Sequence, residues 1–383
     1  MPAQANISNL QTINPLSFNT EATNFKSDAI YQYNLQVERQ FGANVFTIGY
    51  VGNVGRHLPE VINDVNQPAP YSTNPSSPVY YGNLPNPANR ANSGPRRLDA
   101  QFPNGNLSGV GLVQSEGISN YNGLQTSFQR RFSHGLAFDA NYTWSKALSD
   151  VTGFSEEGDQ EGFSDANPFQ IRKTEYGVAE NDIQNRFALS LNYELQYGKS
   201  FTGIKKQALA GWGFNTISVW QSGKPFSILN GGGNDDITTF VDPDTGTTVQ
   251  ENFGDRAVPN NGGGRDRPDQ IGSVRAGGSL HNFFNTSAFV PQPTGTVGDV
   301  ERNSLFGPHF RHVDIALTKK FPVTERTDLQ FTAQAFNLSN TPSYIIPLGS
   351  GNAQLGNTAF GTVTNYDPNY NPRQYQFALK YQF

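Results

Sequence analysis

The side chains that could carry chemistry are few and scattered. The histidines are His57, His134, His281, His309 and His312, and only the last two stand close together. On a strand an H-x-x-H spacing sends the two rings to opposite faces, unlike a helical metal pair, and no third ligand is placed beside them. They read as polar residues at loop ends. Asp242, Asp244 and Gly246 in VDPDTGT, with Glu251 further on, imitate the start of a calcium loop. The spacing misses the twelve-residue pattern, so a solvated turn is expected. Glu156, Glu157, Asp159 and Glu161 form an acidic cluster that could attract a cation or a basic partner, but charge runs in loops are ordinarily solvated. No G-x-S-x-G elbow, phosphate-binding Gly-rich loop or dinucleotide fingerprint occurs. With no Cys, disulfides and thiolate metal sites are ruled out. The expectation is a protein without catalysis, cofactor or metal.

What the chain has instead is a period of two. In the closing QYQFALKYQF, Tyr375, Phe377, Leu379, Tyr381 and Phe383 share one face, and Gln374, Gln376, Ala378, Lys380 and Gln382 share the other. Soluble chains ordinarily end in frayed polar residues. An amphipathic strand closed by Phe is how bacterial outer-membrane barrels end, and it has the form of the signal read by the barrel assembly machinery.

The same alternation recurs in segments of about ten residues, the length a tilted strand needs to cross an outer membrane. Tyr31, Tyr33, Leu35 and Val37 mark a first strand, and Phe46, Ile48 and Tyr50 a second after a turn at 41–44. A third runs near 123–132. A fourth carries Leu136, Phe138, Ala140, Tyr142 and Trp144, and a fifth Phe187, Leu189, Leu191, Tyr193 and Leu195. The sixth has Trp212, Phe214 and Trp220; its pattern slips midway, which predicts a bulge. Val313, Ile315, Leu317 and Phe321 form a seventh, and Leu329, Phe331, Ala333 and Ala335 an eighth, before the terminal ninth.

Connections alternate between short (41–44, 133–135, 198–210, 322–326) and long (55–120, 149–184, 225–310, 339–372). In outer-membrane barrels short turns face the periplasm and long loops face outside, which puts Phe383 at the periplasmic end. Arg130 and Arg131 fall near one of the short turns, where Arg can snorkel to the interface. Residues 66–106 are dense in Asn, Pro, Ser, Gly and Tyr, and 230–267 contains GGGNDD, DPDTGT and NNGGGRDR, all turn-formers with little to bury. If the aromatic side faces lipid, Gln36, Glu38, Asp139, Asn141, Asn192, Glu194, Asp314, Gln330, Gln334 and Lys380 face the lumen as a hydrated wall.

Composition agrees with this reading. Only 15% of residues are charged and 12% are aromatic, while 39 Gly and 24 Pro supply turns, so the chain is poor in helix formers. A mean hydropathy of −0.54 and the absence of any 18-residue apolar run exclude a transmembrane helix but not a barrel, whose strands mix polar and apolar residues. A net charge of −5 argues against nucleic acid as partner. A soluble β-sandwich has the same period; the aromatic load near strand ends, the short/long asymmetry and the terminal Phe favour the membrane.

The segments YQYNLQVERQFGANVFTIGYVGNVGRHL, SNYNGLQTSFQRRFSHGLAFDANYTWSKALSD, DIQNRFALSLNYELQYGK, GWGFNTISVWQSGKPFSI, FFNTSAFV, RNSLFGPHFRHVDIALTKKF, LQFTAQAFNLSNTPSY and PRQYQFALKYQF together resemble the C-terminal barrel portion of Oar-like TonB-dependent outer-membrane receptors. The resemblance covers the chain from about residue 31 to 383. It implies a barrel of about 22 strands, plugged by a separate N-terminal domain and coupled to TonB by a preceding segment. The expected architecture is therefore all-β: part of an antiparallel transmembrane barrel of about nine to ten strands at 28–383, with 1–27 as a loop or the end of an upstream segment. Residues 1–20 have neither a basic n-region nor an apolar h-region, and nine strands is odd where such barrels are even, so the chain is expected to be a fragment beginning mid-barrel. Expected partners are outer-membrane lipid, the assembly machinery, a plug domain with TonB, and an unidentified ligand, in the outer membrane of a Gram-negative-type bacterium. An adhesion or export barrel and a secreted β-rich binding domain are the alternative functions.

Overall fold

The structure, a computed structural model, describes residues 16–62, 64–66, 98, 107–151, 171–231, 238–241, 244, 246–251, 256–257, 266–324, 326–346, 351–367 and 369–383. Nine strands form one antiparallel meander in chain order: β1 (Ala29–Phe41), β2 (Asn44–Ile62), β3 (Leu107–Ser133), β4 (Leu136–Ser149), β5 (Asn185–Glu194), β6 (Trp212–Gln221), β7 (Phe310–Pro322), β8 (Asp328–Phe336) and β9 (Gln374–Gln382). Each corresponds to one of the nine stretches of period-two sequence, but β2 runs on to Ile62 and β3 begins at Leu107, so both ends of the expected long connection 55–120 are strand. A further short strand, Leu16–Glu21, pairs parallel to the start of β3.

Local chemistry explains the short turns. Between β1 and β2 the chain reverses through Gly42 at φ 61, and between β3 and β4 through His134 and Gly135 at φ 52 and 82. Two successive left-handed residues match the right-handed twist of the strands they join. His134 is thus a turn residue. The β5–β6 connection carries a short helix, α1 (Gly203–Leu209).

Pairing registers fix the faces. Tyr33 stands opposite Gly52, Val37 opposite Ile48, Phe128 opposite Ala140, Tyr142 opposite Phe187, Tyr193 opposite Phe214, Leu317 opposite Ala333, and Phe331 opposite Leu379. One side of the sheet is therefore predominantly apolar. It lies open along the strands, with Leu35 71%, Phe377 68% and Leu379 66% exposed. In water so large an apolar surface is untenable, whereas in a bilayer it faces its proper solvent.

The expected bulge in the sixth strand is absent: β6 keeps an unbroken register with both β5 and β7. What slips is the choice of side chains. Thr216 and Ser218 occupy the aromatic side and Ile217 and Val219 the polar side; the Thr216 hydroxyl donates to the carbonyl of Asp314 at 2.8 Å. The register shifts in the β2–β3 hairpin instead, which continues well past the ten residues a membrane needs.

The long connections carry a core of their own, built outside the turn-rich stretches 66–106 and 230–267. Phe226, Ile228, Phe284, Ala288, Phe289, Val300, Leu305, Ile346, Ala353 and Val363, drawn from 225–310 and 339–372, form a closed hydrophobic core. Phe284 packs edge-on against Phe289 and Phe360 at 5.9 and 5.1 Å. Short ladders, Leu229–Asn230 with Gln354–Leu355 and Tyr344–Ile345 with Asn365–Tyr366, stitch this loop module together.

Candidate functional site

The polar side of the sheet holds an open cavity of about 470 Å³ lined by Gln36, Thr47, Gln125, Ser127, Asn141 and Thr143 among others. Every position expected to face a lumen falls on this side. Gln36 and Glu38 stand opposite Gly49 and Thr47. Asp139 stands between Gln129 and Ser190, Asn141 between Ser127 and Ala188, and the Asn141 amide donates to Asp139 at 2.9 Å. Asn192 and Glu194 face Asn215 and Gly213, Asp314 faces Ile217, and Gln330 and Gln334 face Lys380 and Gln376. The structure spreads them over the whole wall and brings only Gln36 and Asn141 to the cavity. Asp314 is engaged: its Oδ1 lies 2.8 Å from His312 Nε2 and accepts from the backbone N–H of Asn337, also at 2.8 Å. His312 thus has a carboxylate partner. Among the described residues no group of three or more His, Asp or Glu could hold a metal ion.

On the opposite side Tyr375, Phe377, Leu379 and Tyr381 of β9 pair with Ala335, Ala333, Phe331 and Leu329. The Phe331 and Phe377 rings stack at 6.3 Å, and Phe383 follows Tyr381 with their rings also 6.3 Å apart. Lys319 interrupts this apolar side near a short turn. It is buried; its ammonium donates to the carbonyl of Ala210 and lies over the Trp212 and Phe321 rings at 5.3 and 5.1 Å.

At the long-connection end, charged side chains fasten the loop module to β4. Arg267 grips Glu175 through two hydrogen bonds of 3.0 and 2.9 Å and also donates to the carbonyl of Thr174. Arg302 reaches the carbonyls of Ser149, Val151 and Glu175 at 3.4–3.5 Å. Burial pushes the Glu175 carboxyl up, but Arg267 and Arg302 outweigh it and hold Glu175 below its ordinary range. Asp244 is not a solvated turn residue as its sequence suggests: its carboxylate pairs with Arg256 at 3.0 Å and accepts from the backbone and hydroxyl of Thr294. Asp242 and the cluster Glu156, Glu157, Asp159 and Glu161 lie outside the described residues. Sequence reasoning missed Glu175, Arg267 and Arg302, which sit in aperiodic segments and share no motif.

A family model described as the outer membrane beta barrel domain matches residues 1–376. The chain belongs to that family. Its place is the outer membrane, and the open apolar side of the sheet is the lipid-facing side of a barrel. Lys319 then sits as barrel cations do near an interface, its stem in the apolar layer and its charge against rings and a carbonyl. Among solved structures, this barrel domain is similar to the outer membrane transporter YddB from Escherichia coli, at 7% identity and TM-score 0.46 over 96% of this chain and 34% of that one. It is similar also to the pyoverdine outer membrane receptor FpvA from Pseudomonas aeruginosa PAO1 bound to pyoverdine, at 10% identity and TM-score 0.40 over 94% and 30%. The FrpB iron transporter from Neisseria meningitidis matches at 11% identity and TM-score 0.38 over 96% and 33%. The barrel domain thus spans about a third of the length of these proteins. No curated protein matches.

Proposed function

We propose that this barrel domain is the C-terminal wall of an Oar-like TonB-dependent receptor. In that role it takes a ligand from outside, in a full protein whose plug and TonB-contacting segment lie upstream. The observation that carries the reading is the continuous register from β1 to β9. It puts Glu38, Asp139, Asn141, Asn192, Glu194, Asp314 and Gln334 on the polar side of the sheet, which this reading takes as the hydrated wall, with the apolar side turned to lipid. A hydrated wall can pack against a plug and let a polar solute pass. The loop module, with its own core, supplies a rigid surface at the mouth for recognition. Tyr375, Phe377, Leu379, Tyr381 and Phe383 form the edge offered to the assembly machinery.

The test is uptake by cells expressing the full-length protein. Depletion of a solute from defined medium, traced by mass spectrometry, is expected with a functional TonB system and lost without it. Depletion that is equal in both strains would replace transport with surface binding, the adhesion-type alternative.

A further inference from the structure

Beyond the end of β1, the strands β2 and β3 stop matching one to one. Gly55 stands opposite Ser119 and Leu58 opposite Gly117, three steps against two; Glu60 then stands opposite Gln114, two steps against three. One residue is inserted in β2 at Arg56–His57 and one in β3 at Ser115–Glu116, and the two insertions cancel. Bulges re-aim side chains and gather next to functional sites. His57 moreover sits at φ 55, a conformation that disfavours any residue with a side chain and persists only where the surroundings impose it.

The four residues of the paired bulges line one open cavity of about 410 Å³, together with Lys26 from the turn before β1 and Arg172 from the loop after β4. Ser115 holds that turn in place, its hydroxyl accepting from the Lys26 backbone N–H at 2.7 Å. Lys26, Arg56 and Arg172 bring three positive charges, against the single carboxylate of Glu116 in the lining. Arg172 is partly neutralised by Asp150 at 3.5 Å and donates to the carbonyl of Glu116. Among the described residues, the Lys26 ammonium and the His57 ring have no side-chain partner, and Arg56 donates only to the neighbouring carbonyl of Gly55. Cations converging from three segments repel one another, and an anion between them relieves that repulsion and completes their hydrogen bonds.

We propose that this cavity binds a solute carrying clustered phosphate or carboxylate groups. It is a specific anion site at the long-connection end of the barrel. The proposal deepens the receptor reading and rests on it for its biological meaning, though the site itself can be tested separately. Lipid headgroups carry the same groups, so the source must be distinguished as well as the chemistry.

The experiment uses the full-length protein in uncharged detergent, titrated calorimetrically with inorganic pyrophosphate and, as a neutral control, sucrose. Saturable pyrophosphate binding that weakens with added salt is expected, with no sucrose binding. The double variant Lys26→Gln/Arg56→Gln should bind about tenfold more weakly or worse. His57→Gly keeps the left-handed backbone without strain while removing the ring, so it should weaken binding without lowering the unfolding midpoint. Absence of saturable binding, sucrose binding of similar strength, or equal affinity in the double variant overturns the site. Nanodiscs with and without phosphatidylglycerol separate the sources: competition by the lipid assigns the site to headgroups, and its absence assigns it to a soluble solute. Persistent pyrophosphate binding without TonB-dependent uptake would remove the receptor reading alone.

Discussion

The ring of Tyr33 on β1 fills the space in which a side chain at Gly52, its partner on β2, would stand. The Tyr33 hydroxyl continues across to Asn122 Oδ1 at 3.2 Å, and Tyr50 donates to the same oxygen at 2.6 Å. Two rings and an amide thereby tie three strands together on the lipid side, and the glycine makes room for them. Covering a glycine with a cross-strand aromatic also shields backbone that would otherwise weaken the sheet.

Gly52→Ala should therefore displace Tyr33 and break its bond to Asn122, costing about 1 kcal/mol. The check is the denaturant midpoint of the full-length barrel refolded in detergent. Because one residue acts through the other, Gly52→Ala combined with Tyr33→Ala should cost less than the two changes summed. Strict additivity would show that the ring and the glycine are unrelated.

Glu175 and Arg267 are both nearly inaccessible, with side chains 3% and 5% exposed. Removing one partner strands the other charge, so Arg267→Met should loosen the loop module by about 3–5 kcal/mol, while Arg267→Met with Glu175→Leu should restore much of it. Hydrogen exchange of the segment around Phe284 and Phe289 reports the loosening. The pH dependence has a definite sign. The folded carboxyl titrates below its unfolded value, so its contribution is present above about pH 4.5 and disappears as pH falls through the lower folded value.

Glu60 behaves in the opposite way. It is buried in the extended β2–β3 hairpin, where Oε2 accepts from Gln114 at 2.9 Å and Oε1 has no partner. Burial, helped by Asp150 and Glu116 and opposed by Gln114 and Arg172, pushes its carboxyl up to about 7. A raised folded value means the stabilisation is complete below the unfolded value near 4.5 and is lost as pH rises through about 7, about 3 kcal/mol in all. Glu60→Gln should flatten most of the difference in hairpin protection between pH 5 and pH 8. Burial raises Asp150 too, so a residual slope of the same sign is expected. An unchanged slope in Glu60→Gln would put the titration elsewhere.

These sites mark the limit of what the sequence alone could reveal. The nine strands were legible because a wall with lipid on one side and water on the other forces a period of two, and Leu35, Val37, Phe187 and Leu189 obey it. The slip in β6 shows in the sequence but marks no bulge: Thr216 and Ser218 satisfy their hydroxyls within the sheet, so no extra residue is inserted. The loop core was illegible because Phe226, Phe284, Phe289 and Phe360 lie far apart, without a period, among Gly, Asn and Pro. Nor does any local signal announce that Arg267 will meet Glu175, 92 residues away.

The terminal strand gives the sharpest test of the assigned faces. Along β9, Leu379 stands opposite Phe331 on the apolar side and Lys380 opposite Gln330 on the polar side. Leu379 is 66% exposed and Phe383 97%. Leu379→Lys would put a charge into lipid, at up to about 2–4 kcal/mol at the midplane and less near the interface. It should lower the amount of full-length protein in outer-membrane fractions, as should deletion of Phe383, which removes the aromatic end of the strand. Lys380→Ala changes only the hydrated wall and should leave that amount close to the parent level. Quantitative blotting of the fractions ranks the three. If Lys380→Ala depletes the membrane as strongly as either of the others, the two faces of β9 have been exchanged, and by the continuous register so have those of every strand paired to it.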